Sequence, residues 1–327
     1  MAETADYDPG PWSGYDFKTS RATYDAHAGR SYGDAISKGI TSTSLVPDSI
    51  ETTSDAPLVI ACDVTGSMGD WPATIFSKLP YLDKEGKEYL GENMEISFAA
   101  IGDIFSDRYP LQVQPFVKGL QLEESLKKLI IEGGGGGSSE ESYDIAALYY
   151  ANNVKMPNAI KPIFIFIGDE GIHTATRSGD GERHAKVLLE NLNLSSIMEQ
   201  LQSKYSVYIV RKPYHNDNNA PRERAIREQW ESLLGADHVC SLPDASRVVD
   251  VIFGILARET GKIDYFKTEI EDRQESDKVS VVMKSLATIH KLDNPSKKKL
   301  AKPQASITKR KGNDPGGGAV SIPLLED

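Results

Sequence analysis

Two short apolar runs, each stopping at an acidic residue, dominate the pattern of this chain: Leu58 to Cys62 leads into Asp63, and Ile163 to Ile167 leads through Gly168 into Asp169. Unbroken runs of this length, bounded by turn residues, predict strands buried on both faces, as parallel sheets require. Met94 to Ile101, Ser206 to Arg211 and His238 to Leu242 predict further strands, and Leu111 to Val117 alternates apolar residues with Gln in the manner of an exposed edge strand. Helical spacing fills the intervals. Gly69 to Leu82 carries Ile75, Phe76, Leu79 and Leu82 on one face, with Pro72 in the first turn and Pro80 ending or kinking the helix. Glu123 to Ile131, Tyr143 to Asn153, one long stretch from Glu182 to Tyr205, Ala220 to Gly235 and Ala245 to Thr260 complete the helices. Such alternation predicts an α/β fold: a Rossmann-like, doubly wound, mostly parallel sheet with one antiparallel edge strand and helices on both faces.

That pattern occupies residues 57–261 of the 327. Residues 1–56 are rich in Tyr, Asp, Gly, Ser and Thr with few apolar clusters, and read as a partly ordered arm that wraps rather than folds alone. Residues 262–294 carry dense alternating charge and predict either a continuation of the last helix or a strand over Val279 to Met283. Residues 295–327, poor in aromatics and rich in Lys, Pro and Gly, predict a disordered basic tail.

The chemistry lies in the turns after the two acidic strands. Asp63-Val-Thr-Gly-Ser67 presents a carboxylate and two hydroxyls at alternate positions, and Gly66 and Gly69 allow the backbone to fold closely. These are hard oxygen donors, suited to Mg2+, Ca2+ or Mn2+ rather than zinc or copper. The plainer reading is a strand-to-helix turn capped by Asp63 or Thr65. Because carboxyl ends of parallel strands share one rim, Asp63 and Asp169 can meet there. Between them, Glu132 and the glycine run 133–137 open into Ser-Ser-Glu-Glu141-Ser142, a third source of oxygen or a flexible linker ahead of an acidic helix start. Asp103, after Met94 to Ile101, falls at the same rim as a supporting carboxylate or a plain turn residue; His173 reads as a solvent-facing loop histidine.

In the order of these three pieces the chain resembles a von Willebrand factor A (VWA) domain. That family's metal-ion-dependent adhesion site (MIDAS) uses an Asp-x-Ser-x-Ser turn, a Thr in a second loop and an Asp in a third. Asp63-Val-Thr-Gly-Ser67 matches the first element with Thr65 in place of a Ser, and Asp169 matches the third. The second departs from the pattern, leaving Glu141 or Ser142 at the liganding place. A Glu there would tighten cation binding and weaken the pull on an acidic partner. By this resemblance Asp63, Thr65, Ser67, Glu141 or Ser142, and Asp169 form the shell of a Mg2+ (or Ca2+ or Mn2+) ion whose open place captures an acidic side chain of a partner protein. The implied role is an adaptor or assembly subunit, not an enzyme.

A rival resemblance is to haloacid-dehalogenase-like phosphotransferases, with Asp63 as nucleophile and Ile167-Gly-Asp-Glu170 as a late acidic motif. The acid/base Asp expected two residues after the nucleophile is Thr65 here, and only Lys155 and Lys161 stand near the second strand in sequence. Charge then narrows the partners. The net charge of −11 hides a +4 tail over 295–327 and −15 on the rest, and the tail lacks aromatics for base stacking, which argues against nucleic acid. No apolar stretch reaches the roughly twenty residues of a membrane span, and the first residues lack a signal-peptide pattern. Cys62 and Cys240, the two cysteines, both fall in predicted strands and suit a reducing compartment. A cytoplasmic location is the expectation.

Overall fold

The computed structural model describes residues 17–29, 31–133, 140–188, 193–214, 219–242 and 244–290. The fold is α/β. Six strands form the main sheet: β1 (Pro57–Asp63), β2 (Glu95–Ile101), β3 (Leu111–Val113), β4 (Ile163–Gly168), β5 (Ser206–Arg211) and β6 (Val239–Ser241). Their order is β6-β5-β4-β1-β2-β3, parallel throughout except for β3, which runs antiparallel to β2. The Rossmann-like expectation therefore holds, antiparallel edge strand included.

Every residue of β1 and β4 is buried, as their unbroken apolar sequences require. Alternate side chains serve opposite faces. Leu58, Ile60 and Cys62 pack with α2 (Trp71–Lys78) and α6 (Val248–Thr260), whereas Val59 and Ala61 pack with α3 (Tyr143–Asn152), α4 (Leu194–Lys204) and α5 (Ala220–Leu234). The chain leaves β1 for α2 on one face and leaves β4 towards α4 on the other. The adjacent pair β1 and β4 is thus the point where winding reverses, and doubly wound sheets open a crevice at the carboxyl ends of such a pair.

The flanks pack on this frame. In the arm, a helix over Phe17–Ala28 buries Tyr24, whose hydroxyl donates to Leu126 O at 2.7 Å and Leu129 O at 2.9 Å. A capping box between Ser31 and Asp34 starts Tyr32–Ser37, and Ile50–Glu51 pairs in parallel with Val154–Lys155. Among the described residues, three helices follow α6: Ile263–Arg273, Ser276–Ser285 and Ala287–His290. Val279 to Met283 is therefore helical, not a strand. The basic tail 295–327 and residues 1–16 of the arm lie outside the described residues.

Two expectations need correction. The stretch from Glu182 to Tyr205 is not one helix: Ser178–Ala185 ends where Lys186 takes a left-handed backbone, φ 57°, and α4 starts afresh with Asn193 accepting from Ser196 N at 2.8 Å. The expectation for Pro80 holds: α2 stops at Lys78, and Pro80 sits in a short 3-10 turn over Leu79–Tyr81 before a further helix, Leu82–Leu90. Finally, β3 is not exposed. Gln112 is fully buried, donating to Ile130 O and accepting from Ile130 N, both at 2.8 Å, so its amide satisfies a passing backbone.

Candidate metal centre

Strand register builds the site. Cys62 lies opposite Ile167 in the β1–β4 ladder, so Asp63 and Asp169 emerge one step apart on the same rim. Gly168 permits the approach: a Cβ there would stand 1.8 Å from the Tyr143 hydroxyl and 3.1 Å from Asp63 Cβ. From Asp63 a line of oxygens runs outward. Asp63 Oδ1 accepts from Thr65 N at 2.8 Å and Thr65 Oγ1 at 2.7 Å, Thr65 Oγ1 lies 3.1 Å from Ser67 Oγ, and Ser67 Oγ donates to Asp169 Oδ1 at 3.0 Å. The structure thus joins four of the six candidate residues, the Ser67–Asp169 bond spanning 102 positions of sequence.

These carboxylates are poorly compensated. Asp63 is fully buried and Asp169 is 1% exposed. Burial, reinforced by the Asp169 charge, pushes the Asp63 carboxyl above its ordinary range against the opposing hydrogen bonds from Thr65 and Tyr143. Burial also raises Asp169, with Lys212 opposing and Glu170 adding to it. Asp169 Oδ2 accepts no hydrogen bond.

The second loop arrives through a short ladder: Glu140–Glu141 pairs in parallel with Gly171–Ile172, just past Asp169. Glu141 is 4% exposed and its Oε2 has no hydrogen-bond partner. Its carboxyl is pushed far up, first by burial and then by Asp63, Asp103, Asp107 and Glu170. Ser142 is engaged elsewhere, donating its N–H to Gly102 O at 3.1 Å and accepting from Ile104 N at 2.9 Å, so it ties down the loop after β2. Of the glycine run, Gly133 donates to Val64 O at 3.1 Å with φ 63°, and 134–137 lie outside the described residues.

That loop after β2 brings in Asp103, 2% exposed, and pairs it with His173, 5% exposed, at 2.9 Å between Oδ1 and Nε2. His173 is therefore a buried ion-pair partner and not a solvent-facing histidine. Its Nδ1 lies 3.4 Å from Glu140, and Phe105 packs edge-on against its ring. Burial lowers the imidazole's proton affinity, but the Asp103 hydrogen bond and the Asp144, Asp103 and Glu140 charges outweigh it, leaving the pKa raised. Asp103 is lowered in turn: burial opposes this, and the bonds from His173, Phe105 N and Ser106 prevail.

Sequence reasoning missed two side chains. Tyr143, first residue of α3, donates to Asp63 Oδ2 at 2.7 Å. Lys212 follows β5 directly and places Nζ 2.5 Å from Ser67 O and 3.7 Å from Asp169 Oδ2. Its signal was available, since Lys212 directly follows the predicted strand Ser206 to Arg211. The lysines near β4 in sequence lie elsewhere: Lys155 is exposed in the pairing with Glu51, and Lys161, ahead of β4, donates to Glu259 O at 3.0 Å. Among the described residues no three His, Cys, Asp or Glu side chains are gathered into a metal cluster. The line from Asp63 to Asp169 draws two of its four oxygens from hydroxyls.

No family model matches the sequence, and no curated protein matches it. Among solved structures, the pilus adhesin SpaC from Lactobacillus rhamnosus GG, in its open conformation, is similar with a TM-score of 0.45 at 9% identity over 68% of this chain and 31% of that one. Proximal thread matrix protein 1 from the mussel byssus gives a TM-score of 0.42 at 9% identity, covering 63% of this chain and 48% of its own. The chain thus spans a third to a half of the structures it matches. Among the described residues no helix is long and apolar enough to cross a membrane.

Proposed function

We propose that this protein is a divalent-cation-dependent protein-binding module of the VWA type, with Asp63, Thr65, Ser67 and Asp169 as the core of a MIDAS-like site. The observation that carries the reading is the continuous line of hard oxygens from Asp63 to Asp169 at the winding reversal of the sheet. The donor set fits Mg2+, Mn2+ or Ca2+. Of the buried carboxylates Asp63 and Asp169, only Asp169 has an ion-pair partner among the described residues, Lys212 at 3.7 Å, and Asp169 Oδ2 and Glu141 Oε2 are buried without hydrogen-bond partners. Groups of this kind are costly to leave uncompensated. Glu141 supplies the second-loop oxygen in this reading, and Ser142 holds the loop that carries it. A bound ion would offer positive charge at an open place, where an acidic side chain of another protein can dock. Asp63 and Tyr143 position the site from below, and Ser67, at its exposed end, faces the partner. Buried, free Cys62 and Cys240 are consistent with a cytoplasmic, reducing setting.

The phosphotransfer reading gains one point, because Lys212 stands beside Asp169, where that chemistry needs a lysine. It loses another: Asp63 is fully buried and both its carboxylate oxygens accept hydrogen bonds, which suits a structural anion better than a nucleophile. One experiment separates the two. Full-length protein is melted with and without Mg2+ or Mn2+, beside Asp63→Ala. The binding module gains thermal stability from the ion, and Asp63→Ala stays folded without that gain. Turnover of a generic phosphate ester with Mg2+, abolished by Asp63→Asn, would replace this reading with the enzymatic one.

A further inference from the structure

Lys212 stands where a second positive charge matters most. Its backbone N–H donates to Gly168 O at 2.9 Å, rooting the side chain at the rim that carries Asp169. From there the ammonium donates to Ser67 O at 2.5 Å, lies 3.7 Å from Asp169 Oδ2 and sits 5.7 Å from the Trp71 ring centroid. Ser67 Oγ meanwhile donates to the other carboxylate oxygen, Asp169 Oδ1, at 3.0 Å. One carboxylate is thus approached by the serine hydroxyl on one side and the ammonium on the other. The lysine side chain is 23% exposed, so water screens it only in part.

We infer that Lys212 is a tethered competitor for the divalent ion, setting the cation concentration at which the proposed site fills. The inference rests on the reading of that site given above. Without an ion, the ammonium supplies charge to Asp169 and fastens the turn at Ser67 to the end of β5, so the loops hold together unloaded. With an ion among the Ser67 and Thr65 hydroxyls, the lysine would be a like charge a few ångströms away, sharing the same carboxylate. Its presence therefore weakens cation binding while preserving the empty form. Such a site responds to changes in free cation instead of being permanently filled.

Full-length protein, wild type and Lys212→Met, is titrated with Mn2+ by calorimetry and melted in chelator and in excess Mn2+. Removing a unit charge this close to a divalent ion is expected to tighten Mn2+ binding by about ten-fold or more. The variant should also melt lower than wild type in chelator and gain more from Mn2+. Lys212→Arg, which keeps the charge, should bind Mn2+ as wild type does within a few-fold. Should the Met variant not fold in chelator, Lys212→Gln carries the same comparison. Mn2+ affinity in the neutral variants equal to or weaker than wild type would overturn the inference while leaving the site intact. Absence of Mn2+ binding by wild type would instead remove the site, and the inference with it.

Discussion

Tyr143 donates its hydroxyl to Asp63 Oδ2 at 2.7 Å, joining the first residue of α3 to the last residue of β1 across 80 positions of sequence. With Thr65 on the other oxygen, this bond gives both Asp63 oxygens a donor, one from the turn after β1 and one from the start of α3. Tyr143→Phe deprives a buried carboxylate oxygen of its donor and is expected to cost about 1–3 kcal/mol. Urea denaturation in chelator measures the loss, and an unchanged midpoint would show that the bond contributes nothing.

Gly168→Ala tests the closeness of the two acidic strands. The added methyl would overlap the Tyr143 hydroxyl at 1.8 Å and its ring carbon at 2.8 Å. Overpacking of this kind costs about 3 kcal/mol, the upper part of its usual range. Combining it with Tyr143→Phe removes the hydroxyl but not the ring, so the double variant should be less unstable than the two losses added together. Strict additivity in chemical denaturation would contradict the geometry.

The Asp103–His173 pair gives the fold a pH signature. His173 is raised above 6.5, so its contribution is complete below that value and is lost as pH rises through the folded pKa. Asp103 is lowered below 3.8, so its contribution is complete above that value and is lost as pH falls through the folded pKa. The pair therefore stabilises most between the two ordinary values, near pH 5–6. The melting-point difference between wild type and His173→Gln should be largest there and should shrink towards pH 8. A difference independent of pH would mean that His173 acts through packing alone.

Gly254 reports on the helices after α6. A Cβ on it would stand 2.2 Å from Leu286 Cδ1 and 2.8 Å from Cδ2, in the contact where the last helices cover α6. Gly254→Ala should lower stability by about 1–3 kcal/mol. Leu286→Ala in the same chain opens room for the methyl, and the double variant should fall short of the summed losses in thermal unfolding. If Gly254→Ala melts as wild type does, those helices do not pack tightly there.

Much of this was legible in the sequence for a physical reason. A strand buried on both faces has no polar alternation to obscure it, so β1 and β4 stood out as runs, and the carboxylates ending them marked the rim. What escaped notice was set by three-dimensional register. The apolar spacing around Lys186 continues through the break, and a left-handed backbone at a lysine leaves no compositional trace. Gln112 looked like an outward residue of an edge strand, because its partner is the main chain of Ile130 and not a side chain. Tyr143 and Lys212 became site residues only once α3 and β5 were placed beside β1 and β4, and His173 looked solvent-facing until the loop bearing Asp103 was folded over it.

The two-residue ladder of Glu140–Glu141 with Gly171–Ile172 has a practical corollary. Glu141 is moored to the loop behind Asp169. The mate of that ladder is itself fixed by Gln229 of α5, which donates to Ile172 O at 2.8 Å and accepts from Ile172 N at 3.0 Å, so a change on that helix would reach Glu141 without touching the rim.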